Sequence, residues 1–374
     1  MPFTFVKPRG GSRQNLFDDR DFAEQRAFFA ARPALAATPL RTLPHLARDL
    51  GLGTLFIKDE TSRFGLNAFK SAGTTFAIGM MRERGQLASG ATLVCASEGN
   101  HGRAVARAAR DSGCAARVYM AESVTPARAR AIESEGARVI RVDGTYDDAV
   151  RVMALDAGAH GWTIVSDTSW AGYDEVPRLI MLGYTRLLDE AESAWGSSDR
   201  PDALFVQGGV GGLLAATACW AEWRFGADRP AIVAVEPTAA ACLQTSARHG
   251  KPTKLDGPFD TIMGGLRCGE VSPLAFRSAV SIVDGYIAIE DTWARDAIRT
   301  LARPGGDDPA IEAGPSGAAA LGGLLATLRS DEADGLRRHL RLGPASRVLA
   351  FVTEGVTDPT DFAAALASDP RGRG

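Results

Sequence analysis

The chain has 374 residues, with 42 Lys and Arg against 45 Asp and Glu. That length exceeds what one hydrophobic core usually serves, so two lobes are expected. A net charge of -3 gives no electrostatic reason to expect nucleic acid or an anionic membrane as a partner. No apolar run reaches the ~18 residues a membrane span needs, and the stretch after Met1 lacks a signal-peptide h-region. The five cysteines are scattered and odd in number, with no CxxC pair. They argue for reduced thiols in the cytoplasm, and against a zinc site or a disulfide framework.

Residues 1-35 read as polar and irregular, with one acidic helical stretch. From about residue 54, short runs rich in Val, Ile and Leu alternate with amphipathic helical patterns. The strand candidates are 54-57, 92-96, 116-120, 137-142, 162-166, 203-206, 231-235, 281-283 and 347-352. Helical patterns fall at 101-112, 126-135, 145-157, 176-194, 211-225, 291-302 and 315-329. Continuous apolar strands alternating with helices are the mark of parallel sheets covered on both faces. The Gly- and Pro-rich stretches 250-275 and 303-315 read as substrate-side loops or irregular connections, and the tail 368-374 as frayed. An α/β chain with two sheets is the expectation.

Five segments could carry chemistry. In KDETSRFGLNAFK (58-70), Asn67 can cap a helix beginning near Ala68, which puts Lys70 in its first turn. The positive end of a helix is a poor place for a cation, and its field would lower the lysine's pKa, as a Schiff-base lysine needs. A solvated loop lysine is the plainer reading. ASEGNHG (96-102) joins a strand to a helix start, where backbone N–H groups make an anion site. There Asn100 can donate to an oxygen and Glu98 can act as a base or meet an amine, while His101 alone reads as a structural donor. QGGVGG (207-212) again lies between strand and helix, and its glycines let backbone approach a phosphate closely. It is neither a Walker P-loop nor a GxGxxG fingerprint, so a phosphate monoester fits better than a dinucleotide. EAGPSG (312-317) opens a helix. VTEGVTD (352-358) puts Thr353 at a strand's C-terminal end, where its hydroxyl could serve a ring nitrogen or simply a turn.

The order of these segments resembles the fold-type II pyridoxal phosphate (PLP) enzymes of the tryptophan-synthase-β superfamily, and in detail the diaminopropionate ammonia-lyase family. The matching phrases run from about residue 30 to 360. They include KDETSRFGLNAFK (58-70), ASEGNHGRAVA (96-106), DTSWAGYDEVPRLIMLGY (167-184), VQGGVGG (206-212), TIMGGLRCGEVSP (261-273), GPSGA (314-318) and TEGVTD (353-358). The resemblance implies two parallel-sheet α/β domains with the cofactor between them. Residues 1-74 and 165-374 would form the large PLP-binding domain, and 75-164 the small substrate-side domain.

It also implies roles. Lys70 would carry the cofactor as a Schiff base and move a proton at Cα. Asn100 would hold the ring's 3'-oxygen, and Gly208, Gly209, Val210, Gly211 and Gly212 would cradle the phosphate. Thr353 would contact the pyridine nitrogen. Ser97, Gly99, Asn100 and His101 would bind the substrate, chiefly through backbone groups. Asp167 would take an α-proton or bind the distal amine. Glu98 stands where the family's motif has an aspartate linked to the D-enantiomer, and its carboxylate is one methylene longer. The implied activity is α,β-elimination from a small amino acid, with 2,3-diaminopropionate first and serine, threonine or another 3-hydroxy amino acid second. No metal is implied, and a homodimer is the family expectation. Rival readings are a PLP carrier without turnover and a nucleotide-binding α/β enzyme.

Overall fold

The computed structural model describes residues 4-6, 15-196 and 199-367. Eleven strands form two sheets among these residues. The larger takes β1 (Thr4–Val6), β2 (Leu40–Thr42), β3 (Thr54–Asp59), β8 (Ala203–Gln207), β9 (Ala231–Pro237), β10 (Gly285–Ile289) and β11 (Arg347–Val352), in the order β1-β10-β9-β8-β11-β3-β2. The smaller takes β4 (Thr92–Ala96), β5 (Ala115–Ala121), β6 (Arg138–Val142) and β7 (Thr163–Ile164), in the order β6-β5-β4-β7. Its strands are all parallel, whereas the larger sheet is parallel except at its antiparallel edges β1 and β2.

Helices cover both faces of the larger sheet, so its inner strands are apolar throughout. Every residue of β8 and β10 is buried. Chain order turns back within this sheet. From β8 the chain winds outward through β9 and β10, then returns to lay β11 between β8 and β3. A crevice forms where such a reversal separates two outgoing loops at the strands' carboxyl ends. QGGVGG leaves β8 there and TEGVTD leaves β11. The two ends are tied together by Gln207, whose Nε2 donates to the carbonyls of Phe351 (2.9 Å) and Gly317 (2.8 Å). The helix Lys70–Glu83 starts at the same crevice and packs on Asn100–Asp111, beside the smaller sheet, and on Glu175–Tyr184, beside the larger.

Several local expectations need correction. The apolar run 281-283 is not a strand, because the N–H groups of Ile282 and Val283 bond back to the Ala279 carbonyl at a helix end. The strand begins at Gly285 instead. The pattern 176-194 is two helices that break at Thr185, whose hydroxyl bonds the Leu182 carbonyl. The helix expected from 315 starts at Ala319. Asn67 does not cap a helix near Ala68. It is left-handed (φ 58°), its carbonyl accepts from Gly355 N–H, and the helix starts at Lys70. The edge strands β1 and β2 have three residues each, too few for a readable period. The tail 368-374 lies outside the described residues.

Candidate active site

The segment leading to Lys70 is held by backbone pairing to the end of β11. Phe69 N–H bonds the Thr353 carbonyl at 3.0 Å, Gly355 N–H bonds Asn67, and Ala68 bridges Glu354. Beneath it lies a buried polar cluster. Arg63 donates to Glu60 and Glu190, and Lys58 donates to Glu190 and to the Thr38 carbonyl. All four charged side chains are nearly or wholly buried. The base of the lysine loop is therefore fixed by pairing on both sides.

Lys70 Nζ lies 2.5 Å from an oxygen of Asp167, and both side chains keep some access to solvent. Burial opposes the lysine's charge, but the carboxylate outweighs it and raises the amine above its ordinary value. The lowering expected from the helix N-terminus is thus overridden, because a full charge in contact exceeds the roughly half charge of a helix end. Burial likewise works against Asp167, and Lys70 and His101 outweigh it, so its carboxyl sits well below the usual range.

Asp167 is placed by a braced loop. Tyr173 Oη donates to the Ile164 carbonyl and accepts from Ser166 N–H, both at 2.9 Å, and Trp170 stacks on Tyr173 with centroids 4.1 Å apart. His101 is buried. Its Nε2 lies 2.9 Å from the Val165 carbonyl, so Nε2 carries a proton, and Nδ1 faces Asp167 at 3.8 Å.

Ser97 Oγ accepts from Gly102 N–H (2.9 Å) and Gly99 N–H (3.3 Å), so it closes the start of the helix Asn100–Asp111. Ser97 N–H is itself spent on the Tyr119 carbonyl. The donors left for an anion include the N–H groups of Asn100 and His101, at the open start of the helix. Glu98 is half-buried, and the Tyr146 hydroxyl donates to the carbonyl of Ala96, two residues before it, at 3.4 Å.

At the glycine loop, Gly209 (φ 63°) and Gly211 (φ 98°) are left-handed. The carbonyls of Gly208, Gly209 and Val210 are taken by Gly211 N–H, Cys242 Sγ and Ser272 N–H. In a trans peptide N–H opposes C=O, so the N–H groups of Gly209 and Val210 point away from those partners. The first N–H groups of the helix Gly212–Phe225 join them, making a concave set of donors. Glu236 backs the loop. It accepts from Leu243 and Gln244 N–H, and burial nonetheless pushes its carboxyl up to about 8.

The residues fit a cofactor that brings an aldehyde and a phosphate monoester: an amine in a crevice, and at the same strand ends a set of N–H donors shaped by two left-handed glycines. Among the described residues no group of three His, Cys, Asp or Glu is arranged to hold a metal ion, and no helix is long and apolar enough to cross a membrane.

Sequence reasoning missed Glu354, which is buried and accepts from Asn100 Nδ2 and Ser316 N–H. Ser316 Oγ in turn accepts from Gly265 N–H at 2.8 Å. Glu354 thereby ties the start of the Asn100 helix to the Ser316 turn and, through Ser316, to the Gly265 loop. The only signal was its place beside Thr353. Tyr146 and Tyr184 were missed as well, since each reads as an ordinary helix residue.

Residues 31–354 match the family model described as pyridoxal-phosphate dependent enzyme. The chain belongs to that family. Its cofactor is pyridoxal phosphate, and its fold is fold-type II. A curated relative, the diaminopropionate ammonia-lyase of Salmonella typhimurium, is 36% identical over 93% of this chain and 92% of its own length. The Escherichia coli K12 diaminopropionate ammonia-lyase is 34% identical with the same coverage. Among solved structures, the E. coli diaminopropionate ammonia lyase in complex with an aminoacrylate-PLP azomethine reaction intermediate superposes with a TM-score of 0.90. It is 33% identical and covers 98% of this chain and 97% of that one. The tomato threonine deaminase isoform 2, at 22% identity and a TM-score of 0.78, shares the fold.

Proposed function

We propose that the chain is a lyase that eliminates the C3 amine of 2,3-diaminopropionate, giving pyruvate and two ammonia. The observation that carries the reading is the Lys70–Asp167 pair at 2.5 Å, at the crevice rimmed by the glycine loop and the Asn100 helix. Relatives of that name, more than one-third identical at best over nearly the whole chain, support it.

Bound pyridoxal phosphate supplies the electron sink that lets the α-proton leave and the C3 substituent follow. The chain's own groups divide the remaining work. Lys70 would hold the cofactor's aldehyde carbon and, once displaced by substrate, carry a proton at Nζ. Asp167 is a carboxylate held ionised beside that amine, able to accept a proton from Cα or to face the substrate's distal ammonium. Gly208, Gly209, Val210, Gly211 and Gly212 would hold the phosphate, and Asn100, oriented by Glu354, the ring's 3'-oxygen. Thr353 would meet the pyridine nitrogen with a neutral hydroxyl. That choice limits charge delocalisation into the ring and favours loss of the leaving group over reprotonation. The N–H groups of Asn100 and His101 would bind the substrate carboxylate, with Ser97 and Gly99 shaping that turn. Glu98, in the same turn, would meet the substrate as a base or opposite its distal amine. A large domain of residues 1-74 and 165-374, a small one of 75-164, a homodimeric state and residence in the cytoplasm belong to the same proposal.

The test is release of keto acid and ammonia from a panel holding both enantiomers of diaminopropionate with serine and threonine. Diaminopropionate should turn over fastest, yielding two ammonia per pyruvate, and Lys70→Ala should abolish turnover. Turnover of serine or threonine with neither enantiomer of diaminopropionate accepted would replace the lyase reading with a dehydratase.

A further inference from the structure

Tyr184 ends the helix Glu175–Tyr184 and is 1% exposed, yet among the described residues its hydroxyl proton finds no acceptor. A buried hydroxyl left unpaired is costly, and such a group in a native fold calls for a partner supplied from outside the chain. Two glycines show where the hydroxyl edge lies. A Cβ built on Gly73 would fall 2.5 Å from Tyr184 Cε1, and one built on Gly212 would fall 3.6 Å from Cε2. The two ε carbons flank the carbon that bears the hydroxyl. That edge is therefore wedged between the lysine helix, one turn beyond Lys70, and the first residue of the helix that follows the glycine loop. Lys70 Nζ lies 5.9 Å from the ring centre, and the Phe69 ring, 4.8 Å away, packs against it.

The chemistry selects the partner. A neutral phenol offers one proton, so it seeks an acceptor, and Lys70 as an ammonium offers only donors. Burial, the largest influence, also pushes the phenol's pKa up, so it stays protonated. We propose that Tyr184 is a cofactor-binding residue whose hydroxyl donates to the phosphate of pyridoxal phosphate, completing the N–H cradle of the glycine loop. This rests on the reading of QGGVGG as the phosphate site.

The test uses Tyr184→Phe in the full chain, with cofactor removed and then titrated back as pyridoxal phosphate or as pyridoxal, which lacks the phosphate. A hydrogen bond to a charged acceptor predicts about 10- to 100-fold weaker binding of pyridoxal phosphate. Pyridoxal affinity should not change. The melting temperature of the cofactor-free variant should equal or exceed that of wild type, because the unpaired hydroxyl is gone. Unchanged pyridoxal phosphate affinity, or equal losses for both probes, would overturn the assignment. A wild type that binds the two probes equally would overturn the phosphate reading of the glycine loop, and Tyr184 with it.

Discussion

Replacing Gly211 with alanine separates a phosphate cradle from an ordinary packing turn. Its φ of 98° is left-handed, and an added Cβ would lie 3.1 Å from Ala275 Cβ and 3.3 Å from a Leu243 methyl. The backbone strain alone costs about 1–2 kcal/mol. Gly85 supplies the control, because its φ is 70° and a Cβ there would meet nothing within 4 Å. For 374 residues, unfolding entropy of about 2.1 cal/mol/K per residue makes 1 kcal/mol worth about 1 °C. Both variants should therefore melt only one to a few degrees lower. Their cofactor affinities should differ. If the loop must hold its left-handed turn to present N–H groups to phosphate, the strain in Gly211→Ala is set against binding, and affinity falls about 5- to 30-fold. Gly85→Ala should bind normally. The readout is equilibrium titration of pyridoxal phosphate by its absorption, beside thermal melts of both variants. Equal affinities in the two variants, with Gly211→Ala melting lower, would reduce QGGVGG to a packing turn.

The two carboxylates at the rim should separate in their effects. Asp167→Asn should retain pyridoxal phosphate but lose about 100-fold or more in turnover, since a carboxylate 2.5 Å from the lysine amine is replaced by a neutral amide. Glu98→Gln should act chiefly on one enantiomer of diaminopropionate. Measured kcat/KM values that fall in parallel for both enantiomers in both variants would remove that division of labour. Acid should also weaken the fold through Glu60. Burial raises this carboxyl, but Arg63 and Lys58 outweigh it and bring it from 4.5 to about 2. A depressed folded pKa gives stability that is complete above about 4.5 and lost as pH falls toward 2, on the order of 3 kcal/mol. Urea midpoints between pH 5 and pH 2 should fall less steeply in Glu60→Gln than in wild type, and equal slopes would show that Glu60 is not the linked group.

Local order in the sequence carried much of this protein. Runs such as ALFV and RVLAFV are strands because a strand buried on both faces must be apolar at every position. The glycine loop is recognisable because only glycine holds two left-handed turns within three residues at low cost. Strand, glycine turn and helix start are contiguous in the chain, so the candidate phosphate site was legible before any fold. The resemblance to the family rested on the same contiguous phrases. Tertiary structure decided what distance along the chain conceals. Lys70 meets Asp167 across 97 residues, and Asn100 meets Glu354 across 254. The pairing reverses the shift a helix end would give the lysine, because Coulomb energy depends on separation in space and not in sequence. Tyr184 looked like one more core aromatic, and only the packing of its ring between Gly73 and Gly212 shows a buried hydroxyl proton without an acceptor among the described residues.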